Sequence, residues 1–508
     1  MLSKTYSGGT AGIKPYLVEI EVDITRGLPA FNIVGLPDTA IKESKERVRS
    51  AILNSGYEFS DKRITVNLAP ANTKKEGSLY DLPIALGILC ARGEISADAL
   101  SGFIIVGELA LDGKLRPVRG ILSIAQLVTY RDKQGIILPK ENAREASFYE
   151  NINVYPVESL LEAVAFIEGK IDIKPYKTDF RKILAEGRKY EVDFSEVKGQ
   201  IQAKRAIEIA VAGGHNIIMI GPPGAGKTML ARRIPTILPE LNLEESLEVS
   251  KIHSIAGLLT KDKPVILVRP FRNPHHTSSN IALIGGGTFP KPGEVSLAHK
   301  GVLFLDELPE FRRDALESLR QPLEDGEVTV ARAQHTITYP AEFMLVAAMN
   351  PCPCGYFGSR IRECHCTPYQ IQRYLTKVSG PLLDRIDIQI QVPAVDYAQL
   401  SQDLPAESSV QIRKRISSAR KIQHKRFKAS KLNSRMNKKE MKKFCQLDES
   451  CQNLLRMAME ELKLSARAYD KILKIARTIA DLEGSEKIIT THISEAINYR
   501  SLDREWWR

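Results

Sequence analysis

The eight residues Gly221–Thr228, Gly-Pro-Pro-Gly-Ala-Gly-Lys-Thr, constrain the fold of this chain more than any other part of the sequence. They match the pattern GxxxxGK[ST] in full, with a short apolar run at Asn216–Ile220 before them and a helix-forming stretch after them. A glycine-rich turn between a buried strand and a helix lets backbone N–H groups approach phosphate oxygens, and the helix N-terminus favours negative charge there. The pattern therefore predicts a phosphate-binding P-loop in an α/β fold.

Each position of the motif has an expected task. We expect Lys227 to contact the β- and γ-phosphates of a nucleotide, and the Thr228 hydroxyl to bind Mg²⁺. ATP and Mg²⁺ are thus the predicted cofactors, and the alternative is a glycine-rich turn without function. The predicted nucleotide-contacting residues are Gly221, Pro222, Pro223, Gly224, Ala225, Gly226, Lys227, Thr228 and Met229.

Two further apolar runs end in polar residues that suit Mg²⁺ binding and ATP hydrolysis. The run Gly301–Glu307 ends in two acids, of which Asp306 is predicted to bind Mg²⁺ through water and Glu307 to polarise the attacking water. A plain strand end is the alternative for these acids. A third run ends at Asn350, whose amide would orient the same water, or would be a turn residue at a strand end.

With Asn350 the resemblance to the AAA+ ATPases becomes specific, because Asn350 matches their sensor-1 position. Arg385, within Ser379–Asp387, matches the arginine that in related AAA+ families reaches the γ-phosphate bound by a neighbouring subunit. A surface Asp–Arg pair is the alternative. Arg467 matches the sensor-2 arginine of the lid. If Arg385 acts in this way, the resemblance implies an active site that is complete only in an oligomer.

Four stretches carry a more specific resemblance: Arg269–Thr277 (RPFRNPHHT), Pro292–His299 (PGEVSLAH), Asn350–Gly355 (NPCPCG) and Ala466–Leu473 (ARAYDKIL). They resemble the magnesium-chelatase-like AAA+ group, and the resemblance runs from about residue 193 to 500. One branch of this group consists of chelatase subunits, and the other is the YifB/ComM family, which has an additional N-terminal domain, as this chain does.

The stretch Val34–Asp38 (VGLPD) with the helix predicted after it, and the stretch Gly107–Gly120 (GELALDGKLRPVRG), resemble the Lon-protease-like (ribosomal S5-like) fold over residues 20–168. Lon proteases use a Ser–Lys dyad, but here Leu79 stands at the serine position, with Ser78 one residue early, and Leu122 stands at the lysine position. A serine without a base to accept its proton is a poor nucleophile. We therefore predict no peptidase activity, which disfavours an ATP-dependent protease, and expect this domain to bind DNA or to support assembly.

A chain of 508 residues is long enough for several domains. The predicted fold class is α/β: an AAA+ P-loop core with a parallel sheet, preceded by an α+β Lon-like domain and followed by a helical lid. The predicted boundaries are 1–168 for the N-terminal domain, 169–192 for a linker, 193–398 for the core and 399–508 for the magnesium-chelatase-like C-terminal lid.

The formal net charge of +11 and the pI of about 9.1 fit a polyanionic partner. Residues 412–443 hold fourteen Lys or Arg and one acid, which predicts either salt-sensitive DNA binding or a solvated lid helix. Alternating residues around 327–339 predict a β-hairpin, where related motors grip DNA. The candidate DNA-binding residues are Arg332, Gln334, His335 and Lys291; His275 and His276 are candidates for DNA or subunit contacts, or for structural histidines.

Four of the seven cysteines lie close together in the sequence, with the spacing CxC-x9-CxC. Four thiolates within this distance along the chain can enclose a tetrahedral Zn²⁺, and reduced free thiols are the alternative. The candidate zinc ligands are Cys352, Cys354, Cys364 and Cys366.

The resemblance to the YifB/ComM family implies a hexameric helicase that drives branch migration of DNA in recombination and natural transformation. The second hypothesis is a chelatase-type motor that remodels a protein partner. No apolar run reaches the 18 residues of a membrane span, and the N-terminus lacks the apolar stretch of a signal peptide. We therefore expect a homo-oligomer in the cytoplasm, with DNA as partner and no membrane association.

Overall fold

The computed structural model describes residues 2–178, 183, 190–260, 263–287, 291–332, 335–359, 362–394, 407–500 and 502. The chain forms two compact units. The first comprises residues 1–187 and 243–266, and the second comprises residues 188–242 and 267–508. Each unit has its own hydrophobic core.

A five-stranded parallel sheet forms the centre of the second unit. Its inner strands consist of apolar residues that are buried along their whole length, as expected when both faces of a parallel sheet are covered. Because the strands are parallel, their carboxyl ends meet at one edge of the sheet, where ligands bind in open α/β folds. In spatial order the strands are Phe271–Arg272, Val302–Leu305, Met344–Met349, Ile217–Ile220 and Ile388–Gln391.

Helices and one hairpin complete the second unit. The strands Glu327–Arg332 and His335–Pro340 pair antiparallel, which confirms the predicted hairpin. The helices of the lid region share one core with the sheet. The α-helices of this unit are Ile201–Gly213, Lys227–Ile237, Asn280–Ile284, Glu294–Leu297, Arg313–Ser318, Arg320–Asp325, Pro368–Leu375, Gly380–Leu383, Ser409–Phe427, Lys438–Phe444, Glu449–Glu461, Ala466–Leu482 and Thr490–Asn498, and a short strand pair joins Gly285–Gly286 to Lys291–Pro292.

The first unit combines a four-stranded sheet with a three-stranded parallel sheet and a short hairpin. In spatial order the sheets are Leu2–Ala11, Lys14–Thr25, Arg63–Ala69, Ala30–Val34 and then Phe103–Ile105, Gly135–Pro139, Val154–Val157; Glu108–Leu109 pairs with Leu115–Arg116. The helices are Thr39–Asn54, Asp81–Arg92, Ala97–Ser101, Ile121–Ala125, Leu127–Tyr130, Ala143–Ala146, Leu160–Ile167 and Leu243–Ala256. Of the two leucines at the Lon dyad positions, Leu122 is fully buried, and Leu79 is partly buried and packs against the apolar residues of this unit.

The helix Leu243–Ala256 belongs to the first unit although the P-loop precedes it in the chain. The Ser254 hydroxyl hydrogen-bonds the Glu145 carboxylate and accepts a hydrogen bond from the Gly120 N–H at 3.1 Å. Val249 and Ile252 on this helix are fully buried. A single cut near residue 193 therefore does not separate the two units, and the predicted division into four segments stays a prediction.

Among the described residues, no helix combines the length and the apolar character that crossing a lipid bilayer requires.

Candidate functional site

The P-loop runs from the end of the strand Ile217–Ile220 to the start of the helix at Lys227. Gly224 and Gly226 have φ angles of +76° and +85°, in the left-handed region that glycine adopts readily. A Cβ atom added at either glycine would meet no atom within 4 Å, so these residues border open space. At Gly221 an added Cβ would lie 2.1 Å from the Val392 carbonyl oxygen. The loop is therefore close-packed at its base and open at its tip, which suits the entry of a polyphosphate.

The Lys227 side chain is buried at the first residue of the helix that follows the loop. Its ammonium donates to the carbonyl oxygens of Gly221 at 2.6 Å and Pro222 at 2.9 Å, and to Oδ1 of Asn350 at 3.1 Å. Burial lowers the pKa of Lys227 to about 8, although nearby Asp306 and Glu307 act in the opposite direction. The three acceptors of this ammonium are neutral oxygens, so anionic phosphate oxygens would stabilise its charged form.

Thr228 lies in the helix Lys227–Ile237, and it contacts Asp306, which directly follows the strand Val302–Leu305. The Thr228 hydroxyl donates to Oδ2 of Asp306 at 2.7 Å, and Oδ1 of Asp306 accepts from the Glu307 N–H at 3.0 Å. A hydroxyl and a carboxylate are both oxygen donors of the kind that Mg²⁺ prefers. This pair is thus the place where a Mg²⁺ ion beside bound phosphates would be held.

Glu307 adopts a φ angle of +53°, which is unusual for a residue other than glycine. This backbone conformation directly follows the strand Val302–Leu305 and Asp306. The Oε2 atom of Glu307 lies 3.1 Å from Nδ1 of His276, and 55% of the Glu307 side chain is exposed. His276 also contacts the rings of His275 and Phe311. The sequence predicts a DNA contact, a subunit contact or a structural role for His276, and it does not identify Glu307 as its partner.

Arg385 and Arg467 each form an ion pair with an acidic side chain. The Arg385 guanidinium pairs with Glu324 and donates to the Pro381 carbonyl oxygen at 2.6 Å. Arg467, near the start of the helix Ala466–Leu482, pairs with Asp384 at 2.6 Å. Within the described part of the chain, neither arginine has a hydrogen bond to a P-loop residue of the same chain.

The candidate DNA-binding residues are only partly described. Lys291 is exposed in the short strand Lys291–Pro292. Arg332 and His335 face each other as the last backbone pair of the hairpin, whereas Gln334 lies outside the described residues. For Arg332 and His335 only the backbone is described.

The basic tract 412–443 divides into residues with protein partners and residues that point to solvent. Arg415 and Arg426 form ion pairs with Glu208 and Asp481, which attach the tract to neighbouring helices of the second unit. The helix Ser409–Phe427 also carries exposed lysines, and their spacing of four and seven residues places them on one face. These lysines are Lys414, Lys421 and Lys425.

The four clustered cysteines converge in space. Their Sγ atoms all lie within 4.8 Å of one another, although the first and last are fourteen residues apart in the chain (366 − 352). Three of the Sγ···Sγ distances are 3.3, 3.6 and 3.7 Å. A tetrahedral site with Zn–S bonds of about 2.3 Å has sulfurs about 3.8 Å apart, whereas a disulfide requires about 2.05 Å. The arrangement therefore suits a metal better than a disulfide.

Comparison with protein families accounts for almost the whole chain. Residues 193–400 match the family described as magnesium chelatase, subunit ChlI, residues 20–142 match a second ChlI model, and residues 406–500 match the ChlI C-terminal model. Together with the parallel sheet and the P-loop, these matches define a magnesium-chelatase-like AAA+ protein.

The identities to individual relatives distinguish between the two branches of this group. Competence protein ComM of Haemophilus influenzae is 45% identical, over 99% of this chain and 98% of its own. The uncharacterized protein YifB of Escherichia coli is 46% identical over the same shares. The magnesium-chelatase 67 kDa subunit of Chlorobaculum parvum is 28% identical over 32% of this chain and 23% of its own. The chain belongs to the YifB/ComM family of magnesium-chelatase-like AAA+ ATPases.

Proposed function

We propose that the protein is an ATP-driven motor acting on DNA, and that it works as a hexameric helicase in branch migration. The observation that carries the ATPase part is the convergence of Lys227, Thr228, Asp306 and Asn350 at one edge of the parallel sheet. The DNA part is supported by the full-length similarity to a protein named for competence and by the exposed lysines of the helix Ser409–Phe427.

In this proposal the P-loop backbone and Lys227 bind the nucleotide phosphates. Thr228 and Asp306 would hold Mg²⁺, which would supply positive charge beside the bound phosphates. Glu307 accepts the proton of the attacking water, and the Asn350 amide orients that water. Lys227 exchanges its carbonyl partners for phosphate oxygens, which satisfies its buried charge better than neutral acceptors do.

We propose that a neighbouring copy of the chain supplies a further positive charge at the γ-phosphate. Arg385 of an adjacent subunit approaches the γ-phosphate and neutralises the charge that develops in the transition state. Its partner Glu324 holds the guanidinium in one orientation meanwhile. Arg467 contacts the nucleotide from the lid of its own subunit after leaving Asp384.

We place DNA against the lysines Lys414, Lys421 and Lys425 and against the hairpin and loop residues Arg332, Gln334, His335 and Lys291. Lysines on one helix face neutralise backbone phosphates without selecting a sequence. Arg415 and Arg426 pair with Glu208 and Asp481, so in this proposal they stabilise the lid and do not contact DNA.

We further propose that the four cysteines at 352, 354, 364 and 366 bind one structural Zn²⁺. The convergence of their sulfur atoms within 4.8 Å supports this assignment. Four protein ligands close the coordination sphere, as is typical of zinc that has a structural role.

The test is ATP hydrolysis with and without a four-way DNA junction over a salt series. Wild-type turnover should rise with the junction at low salt, and this stimulation should fall steeply as salt increases. Glu307→Gln should bind DNA without turning over ATP.

The double variant Lys421→Glu/Lys425→Glu should lose the stimulation and keep the basal rate. Its matched control, Lys463→Glu/Lys487→Glu, changes exposed lysines of the lid region outside the basic tract and should behave like the wild type. If no DNA changes the rate of ATP hydrolysis while the oligomer still assembles, the DNA-motor proposal is excluded. The alternative, a motor that remodels a protein partner, would then replace it.

A further inference from the structure

The cysteine loop begins immediately beyond the predicted sensor residue. Cys352 follows Asn350 by two residues and is fully buried, and its Sγ accepts a hydrogen bond from the Phe357 N–H at 3.4 Å. The loop ends where Thr367 caps the helix Pro368–Leu375. Tyr374, on that helix, lies close to the main chain of Asn350, which partly opposes the rise in the pKa of the Tyr374 hydroxyl that burial causes. Both ends of the cysteine loop therefore lie near one residue of the nucleotide site.

The same loop packs directly on the P-loop. Gly355 has a φ angle of +87°, and a Cβ atom added there would lie 2.7 Å from Cδ of Pro223 and 3.8 Å from Cγ of Asn350. The Gly355 N–H donates to the carbonyl oxygen of Cys352 at 3.0 Å, which ties this turn to a cysteine of the cluster. The turn that carries Cys352 and Cys354 thus forms part of the wall of the P-loop.

We infer that metal binding by the four cysteines controls nucleotide binding and hydrolysis, by fixing the turn at Gly355 against Pro223 and Asn350. This inference rests on the proposed function, because it assigns a regulator to the proposed ATP site. Sulfur is a weak hydrogen-bond donor and acceptor, so thiol contacts alone hold the loop weakly, whereas four metal–sulfur bonds fix its shape. Asn350 then presents its amide oxygen to Lys227 in a defined position.

The chemistry of the donor set indicates the metal. Four sulfur ligands at tetrahedral separation favour a soft or borderline divalent ion, and Zn²⁺ is the member of that class without redox chemistry. Mg²⁺ requires oxygen ligands and binds at Thr228 and Asp306 instead. The two metal sites therefore differ in chemistry, although both act on the same P-loop.

The first experiment uses the full-length protein and measures zinc content, affinity for a fluorescent ATP analogue and basal ATPase activity without DNA. We expect about one zinc per chain, and the absorption bands of tetrahedral cobalt–thiolate coordination after substitution by Co²⁺. Cys354→Ser/Cys366→Ser should lose the metal, and its basal turnover should fall about 10- to 100-fold because displaced catalytic groups slow chemistry by such factors. Cys90→Ser, a cysteine of the first unit, should retain both metal and turnover.

A pair of glycine variants separates the metal from its effect on the P-loop. Gly355→Ala and Gly358→Ala change the same loop at φ angles of +87° and +71°, so both strain the backbone similarly. Only the Gly355 position faces Pro223, whereas a Cβ at Gly358 meets no atom within 4 Å. Gly355→Ala should keep its zinc and lose nucleotide affinity and turnover, and Gly358→Ala should keep all three.

Two results would overturn the inference: a purified protein that binds neither zinc nor cobalt, or a metal-free variant with wild-type nucleotide affinity and basal turnover. If the cysteine variant unfolds, reversible removal of zinc by a zinc-selective chelator at saturating Mg²⁺ gives the same comparison. Failure of the DNA-motor proposal would appear differently, as a loss of DNA stimulation with zinc dependence of the basal rate intact.

Discussion

At the scale of single residues, the proposed role of Lys227 in phosphate binding predicts that nucleotide affinity depends on pH. Burial holds the pKa of its ammonium at about 8 in the free protein, and bound phosphates would raise it. Above pH 8 the free protein has released this proton and must recover it on binding, so the Kd for ATP should increase by about tenfold per pH unit. Titration of nucleotide binding between pH 7 and 9.5 measures this dependence.

Lys227→Arg is the control for this effect. A guanidinium remains charged over the whole range, so the variant should show a flat profile whatever its absolute affinity. Other groups, such as Lys471 with its pKa near 8, are unchanged in the variant. A slope that persists in Lys227→Arg would mean that another group is responsible.

His276 is the second residue with a measurable role. Its contact with Oε2 of Glu307 occupies the carboxylate that should accept a proton from water. Partly exposed pairs of this kind contribute roughly 0.2–1 kcal/mol, so His276→Ala should raise the basal ATPase rate by up to about fivefold. His275→Ala removes the neighbouring ring and leaves the contact with Glu307, and it should leave the rate unchanged. A lower rate in His276→Ala would indicate that the histidine positions Glu307 productively.

At the scale of secondary-structure elements, Asp387 joins the sheet to the lid. Its carboxylate lies 3.2 Å from Nδ1 of His215 and 3.4 Å from the Lys471 ammonium, on the helix Ala466–Leu482. Burial alone would raise the pKa of Asp387, but Lys471 and His215 outweigh it and hold this pKa below its usual range. The carboxylate thus stabilises the fold above about pH 4, its ordinary pKa, and this contribution is lost as the pH falls below that value.

Asp387→Asn should destabilise the second unit by about 3–5 kcal/mol at neutral pH, because Lys471 is left buried without its partner. Chemical denaturation of the full chain, with hydrogen exchange in the helix Ala466–Leu482, measures the loss. Asp387→Asn/Lys471→Met should recover part of it. The more exposed pair of Asp384 and Arg467 provides the comparison, and Asp384→Asn should lose less than about 1 kcal/mol.

The sequence predicted those elements whose pattern is local. The P-loop, the strand before Asp306 and the hairpin Glu327–Pro340 each carry their periodicity and turn residues within a short stretch, so their structure follows from neighbours in the chain. The contact between His276 and Glu307 depends on the irregular path of the backbone around His276, which no periodicity encodes. The unit to which the helix Leu243–Ala256 belongs could not be predicted from the sequence either, because an apolar helix face does not indicate which unit it packs against.

At the scale of the whole molecule, the proposed role of Arg385 in a neighbouring subunit predicts complementation. Arg385→Ala and Glu307→Gln should each be inactive alone. In mixed rings, a Glu307-containing site beside a subunit with intact Arg385 becomes competent, and random mixing in equal amounts produces this arrangement at about a quarter of the sites. Measuring ATPase activity against the mixing ratio tests it. Mixtures that stay inactive although the subunits exchange would place Arg385 in its own subunit's site.

The helix Leu243–Ala256 has a consequence for how such proteins diversify and how they can be engineered. The chain enters the first unit after Asn242 and leaves it before Leu267, so that unit is encoded by two separate stretches. Ser254 and its partner Glu145 lie in different stretches, yet substitutions at either must remain compatible with the other. A chimera that takes its N-terminal region from one relative must therefore inherit both stretches, because a graft at a single junction would pair a helix with a foreign partner.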